Sequence, residues 1–297
     1  MTTRVNSLIT SRRVLNDVQV ASMKLSKTQQ MLSSGKQLNR VSDDPYAVGR
    51  ALQLRDEMEH TQQLQKNVED GMGWSETTDD ALDSISSAVA RIRDLVIQGA
   101  TDTAGGSPRD RIATEVGGLI DSIKTAANVK FAGRYIFSGT DTGVEPFNVG
   151  GSDAYNAANN DGILREIGPG VTVQINVGGE QVLGDGTTGL MATLRGILTD
   201  LQNDDGAALQ AKVAQLDGGM DQLNAVRAEV GATYNRLESA SDRLMQFEGT
   251  TLKMLSETED VDMGKAMIDF SIQQAALQAG LQAGSKIVQN SLLDFLR

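Results

Sequence analysis

Phe270-Ser-Ile-Gln-Gln-Ala-Ala-Leu-Gln-Ala-Gly-Leu-Gln-Ala-Gly-Ser285 contains no Asp, Glu, Lys or Arg, yet it lies inside a helical pattern that runs nearly to Arg297. Chain ends are ordinarily frayed and tolerant of change. An uncharged, regularly spaced helix at such an end needs a surface to bury against. The row Met263, Met267, Phe270, Leu277, Leu281, Val288 and Phe295 gives that helix one apolar side.

The other end mirrors it. Leu8, Leu15, Val18, Leu25 and Leu32 lie on a row of three-four spacing interrupted by Ser11, Ser22 and Gln29, which predicts a helix over residues 5–34 ending at Ser33-Ser34-Gly35. Two short helices left alone in water are marginal. Leu8, Leu15, Val18, Leu25 and Leu32 against Phe270, Leu277, Leu281, Val288 and Phe295 are therefore the candidate assembly interface. Ala276, Gly280 and Gly284, four residues apart, permit close helix approach, and packing between subunits is their expected use.

Between the ends the period stays helical, with one interruption. Ser42-Asp43-Asp44-Pro45 reads as a break and a cap. Leu64, Val68, Gly71, Ser75, Thr78, Leu82, Ile85, Val89, Ile92 and Val96 then alternate by four and three, a heptad seam of roughly 50 Å. Ser107, Pro108 and Asp110 open a third helix that should end near Asn128. Glycine becomes frequent over 133–189, and Val171, Val173, Ile175 and Val177 alternate with polar residues as a half-buried strand does. Gly133–Gly139 and Ile163–Ile167 are further strand candidates. A second long seam runs Leu209, Val213, Leu216, Met220, Leu223, Arg227, Val230, Tyr234, Leu237, Ser241, Leu244, with a looser continuation through Phe247, Met254 and Leu255. The fold class is mainly α, with paired terminal helices and a small β-rich insertion. Three domains are expected: 1–45 with 256–297, 46–132 with 190–255, and 133–189.

Charge sharpens the functional classes. The chain of 297 residues has a net charge of −12. Residues 1–45 carry a net +4 and residues 258–297 a net −2, so the middle is strongly acidic. That balance argues against nucleic acid as a partner. No cysteine is present, so neither disulfides nor thiolate chemistry are available. One histidine, His60, sits in a Glu-rich helical stretch and reads as solvated. Catalytic, cofactor-binding and metal-ligating residues are expected to be absent. Asp43-Asp44 and Glu259-Asp260-Asp262 read as helix caps, and Asp204-Asp205-Gly206 as a linker. The opening residues lack an apolar core of the secretory type, and no membrane insertion is expected.

Several motifs resemble bacterial flagellin and the flagellin-like hook–filament junction proteins. They are Met31-Leu-Ser-Ser-Gly-Lys-Gln-Leu-Asn39 followed by Ser42-Asp-Asp-Pro-Tyr-Ala47, Asn67-Val-Glu-Asp-Gly71 with Thr77–Ala81, and Arg91-Ile-Arg-Asp-Leu-Val96. Near the other end, Glu259-Asp-Val-Asp262 and Ser291-Leu-Leu-Asp-Phe-Leu-Arg297 match the family in the same way. Pro45, and Gly133-Arg-Tyr-Ile-Phe-Ser-Gly139 running to Glu145-Pro-Phe147, look more like the hook-associated protein 3 branch. The resemblance implies an elongated rod with an inner layer of paired terminal helices, a helical shaft and an outer knob. It implies self-association, partners in a hook-side junction protein and flagellin, and a cytosolic chaperone on the C-terminal helix. Export without a cleaved signal to an extracellular flagellum follows from it as well. A filament flagellin and a cytosolic coiled-coil scaffold are the competing readings.

Overall fold

The computed structural model describes residues 2–101, 106–157, 159 and 161–295, and side chains among these except at 2–8, 10–11, 106–107 and 287–295. The elements in order are α1 (Thr2–Ser34), α2 (Pro45–Gly99), α3 (Gly106–Ala127), β1 (Lys130–Phe131), β2 (Arg134–Tyr135), β3 (Leu164–Gly168), β4 (Val171–Gln174), α4 (Gly179–Leu183), α5 (Gly189–Gln202), α6 (Gly206–Glu259) and α7 (Met263–Phe295). At 1.5 Å per residue the 54-residue α6 is about 80 Å long. The chain divides into two compact units. Unit 1 is Met1–His60 with Glu248–Arg297, and unit 2 is Thr61–Phe247.

Unit 2 holds one continuous apolar core. All ten residues of the first heptad seam, Leu64 to Val96, are buried, and Leu209, Leu216, Leu223, Val230, Leu237 and Leu244 supply the facing side from α6. Two glycines in α2 make room rather than weaken the helix. A Cβ on Gly73 would stand 2.9 Å from the Phe131 ring, and one on Gly71 would stand 3.2 Å from Ile175 and Leu237. Trp74 is fully buried and meets Phe131 edge-on at 6.0 Å.

Ion pairs rim this core. Arg227, counted among the apolar seam positions, turns out to Asp79 at 3.0 Å and Asp83 at 3.0 Å. Arg93 pairs with Asp217 at 2.6 Å. Phe247 and Met254, expected to continue the seam, are instead exposed, at 42% and 41%.

The β-rich insertion is smaller than its alternation suggests. Two separate two-stranded antiparallel sheets form, β1 with β2 and β3 with β4. Of the Gly133–Gly139 candidate only Arg134–Tyr135 is strand, because Ile136 and Phe137 leave the ladder and enter the core fully buried. The 171–177 alternation ends as strand at Gln174, where Ile175, Asn176 and Val177 continue inward.

A buried cation organises the loop that follows. Lys124 is completely buried, and its Nζ donates to the carbonyls of Asn148 (3.1 Å), Gly151 (3.2 Å) and Ser152 (3.2 Å). It also lies 2.7 Å from Asp153 Oδ1. Burial pushes the Asp153 carboxyl up, but the bonds from Arg195 and Lys124 outweigh it and hold it below its ordinary value. The ammonium thus occupies the centre of the 148–153 loop as a bound ion would.

Candidate assembly surface

In unit 1, α1 and α7 pack against each other antiparallel. Val14 faces Gly284, Val18 faces Gly280, and the Thr28 hydroxyl donates to Gln273 Oε1 at 2.8 Å. A Cβ on Gly284 would lie 3.2 Å from Val14 and one on Gly280 3.4 Å from Val18. The two glycines of the small-residue row therefore serve helix approach inside the chain, which corrects their expected use between subunits. The α1 side of the seam reads Val14, Val18, Ala21, Leu25, Thr28 and Leu32, again at four-three spacing.

The turns at the far end of this pair are fastened together. Gly35 closes α1 with a left-handed φ of +72°, its N–H donating to Met31. Gln37 N–H donates to the Glu259 carbonyl at 2.7 Å, and Val261 N–H to the Gly35 carbonyl at 3.0 Å. The Glu259 side chain is buried between two cations: Lys36 Nζ donates to Oε2 at 2.7 Å, and Arg55 Nη2 approaches Oε1 to 2.5 Å. Burial raises the Glu259 carboxyl, yet Lys36 and Arg55 hold it below its ordinary 4.5. Glu259 was expected to cap a helix; it is instead a clasp. The capping belongs to Asp262, which accepts from Lys265 N–H at 3.0 Å, and to Asp44, which accepts from Tyr46 and Ala47 at 3.0 Å. Asp43 accepts from Lys27 at 2.8 Å and from the Arg40 N–H, and the Lys27 bond holds its carboxyl below its ordinary value.

The apolar residues of unit 1 remain largely uncovered. Among its described residues only Ala51, Leu54 and Ala266 are buried hydrophobics. Leu15 is 66% exposed and Leu281 54%, while Val18, Leu25, Leu32, Phe270 and Leu277 are half-buried along the α1–α7 seam. The side chains of Leu8, Val288 and Phe295 lie outside the described residues. A second exposed row escaped the sequence reading: Ile268 and Ile272, 62% and 61% exposed, continue through Ala275 and Ala279 on the side of α7 turned from α1. Its four-three-four spacing was the available signal, hidden because the strongest apolar residues of α7 lie on another side.

Charge separates the units as sharply as burial does. Unit 1 carries 13 basic and 13 acidic residues, and unit 2 carries 14 and 26. The whole net charge of −12 therefore sits on unit 2. A neutral unit with uncovered apolar rows associates, whereas a strongly acidic one stays solvated.

Residues 5–142 match the bacterial flagellin N-terminal helical region, and residues 213–296 match the flagellin C-terminal helical region. The chain belongs to the bacterial flagellin family. Together the matches cover about three quarters of it, and they take in most of both halves of unit 1. It is 28% identical to flagellin from Bacillus subtilis strain 168, over 97% of this chain and 98% of that one. It is also 28% identical to flagellar hook-associated protein 3 from Escherichia coli strain K12, over 86% of this chain and 88% of that one. The solved structure of a flagellar hook-associated protein from Vibrio parahaemolyticus superposes with a TM-score of 0.67 at 25% identity, covering 73% of this chain and all of that one. The chain is a structural component of the bacterial flagellum, with a mainly α fold and small β elements.

Among the described residues no group of His, Asp and Glu side chains is arranged to hold a metal ion, and no helix is long and apolar enough to cross a membrane. His60 is exposed on α2.

Proposed function

We propose that this chain is a junction subunit joining hook to filament, and that it assembles by self-association of the α1–α7 pair of unit 1. One observation carries the reading. A neutral unit built from both ends of the sequence leaves Leu15, Ile268, Ile272 and Leu281 more than half exposed, with hardly any buried core of its own. Neighbouring copies cover those rows, at about 25 cal/mol for each Å² of apolar surface removed from water. The acidic unit 2 stays solvated.

The similarity to hook-associated proteins in sequence and fold supports a junction role over a filament role. In this reading the subunit contacts a hook-side junction protein on one side and flagellin on the other. Its C-terminal helix, with the apolar rows of α7, is held by a chaperone in the cytosol before export. A second reading, filament flagellin, is supported by the match to a flagellin over nearly the full chain.

Deleting the gene in its host separates the two. A junction subunit predicts cells without filaments that release flagellin into the medium. Disappearance of the main filament protein itself would instead identify this chain as the flagellin.

A further inference from the structure

The chain has no cysteine, so its 11 methionines are its only readily oxidised sulfurs. They are unequally placed. Met191 is fully buried, and Met72 and Met220 pack against the core of unit 2. Met23, Met245, Met254, Met263 and Met267 are exposed. Among these, Met263 and Met267 alone lie one helical turn apart, at 47% and 62% exposure on α7. Leu281, 18 residues beyond Met263, returns to the same side after five turns of 3.6 residues.

We propose that Met263 and Met267 form a modification site, a thioether pair whose oxidation by a peroxide-class oxidant blocks self-association. The proposal rests on the assembly reading above. In each event a sulfur lone pair attacks one peroxide oxygen. The O–O bond breaks, an S–O bond forms, and the second oxygen leaves as water after proton transfer. Sulfur loses two electrons and the peroxide gains them. The product is a methionine sulfoxide, polar where the thioether was apolar.

The placement explains why such chemistry would act on association rather than on folding. Neither side chain belongs to the seam that Val14, Val18 and Thr28 make with Gly284, Gly280 and Gln273. Oxygen added there leaves the α1–α7 pair intact. Once a neighbour covers the row, each sulfoxide oxygen loses water without a designed donor, so association weakens by about tenfold or more. Covered methionines are in turn shielded, so the site acts on the subunit before it is incorporated.

The test treats the full-length chain with hydrogen peroxide and maps sulfoxides by peptide mass, with Met191 as the internal buried control. Assembly is followed by light scattering and helicity by circular dichroism. Met263 and Met267 should oxidise well before Met191, helicity should hold, and assembly should fall at least tenfold. The double variant Met263→Leu/Met267→Leu should assemble untreated and keep assembling after the same dose. Normal assembly of the oxidised chain, or equal loss in the double variant, would overturn the proposal alone. An untreated chain that stays monomeric under all conditions tried would sink the assembly reading and this proposal with it.

Discussion

Gly284 of α7 runs so close to Val14 of α1 that a Cβ added to the glycine would stand 3.2 Å from the valine Cγ1. That spacing sets the distance between the two terminal helices, and it gives a direct handle on their pairing. Gly284→Leu should push the helices apart and destabilise the pair by roughly 1–3 kcal/mol, as overpacking does. Gly231→Ala in α6, where nothing lies within 4 Å, should stabilise the helix by up to about 1 kcal/mol. Thermal unfolding followed by circular dichroism distinguishes the two, and a neutral Gly284→Leu would contradict the described seam.

Glu259 makes the terminal clasp sensitive to acid. Its folded pKa lies below the ordinary 4.5, so the clasp contributes its full stability above that value and loses it as pH falls through the folded pKa. Glu259→Gln should cost about 1–3 kcal/mol at pH 7 and remove most of the difference between pH 7 and pH 3. Hydrogen exchange at Gln37 and Val261, whose N–H groups bridge the two turns, is the readout. Equal acid sensitivity in the variant would show that other carboxylates dominate.

Lys124→Met tests the buried cation of unit 2. Removing the ammonium leaves three carbonyls and one contact of Asp153 without their donor. A loss of about 3–5 kcal/mol is expected from breaking a buried pair, with Arg195 still holding Asp153 on its other side. Denaturant unfolding measures it. A loss below 1 kcal/mol would mean that water replaces the ammonium without difficulty.

Leu281→Asp addresses the surface rather than the fold. Leu281 is 54% exposed, so the substitution should leave the helicity of the monomer unchanged. Assembly, followed by sedimentation, should be abolished. Full assembly of the variant would remove Leu281 from the interface.

The helices were legible because each seam repeats many times. All ten positions from Leu64 to Val96 are buried as their spacing requires, and α1, α5 and α7 begin or end within a few residues of the periodic pattern. The strands were less so, because Ile136 and Phe137 are strand-like in composition yet are drawn into the core by the helices around them. Glu259 and Lys36 stand 223 residues apart, and no local period relates them. Nothing near Lys124 in the sequence marks it, since burial by the 148–153 loop depends on carbonyls that carry no side-chain signal. The glycines of α7 were recognised as close-approach positions, but spacing alone could not say whether the neighbour belongs to the same chain. On the proposed assembly surface Leu15 and Leu281 stand exposed, while Val14, Ala21 and Thr28 hold seam places that larger residues nearby obscured.

Backbone hydrogen exchange over residues 263–286, compared between the dilute monomer and the assembled state, tests most directly whether unit 1 is completed by its neighbours. The account predicts rapid exchange in the monomer, where so little of unit 1 is buried, and slow exchange after assembly. Full protection of these amides in the dilute monomer, unchanged on assembly, would contradict it.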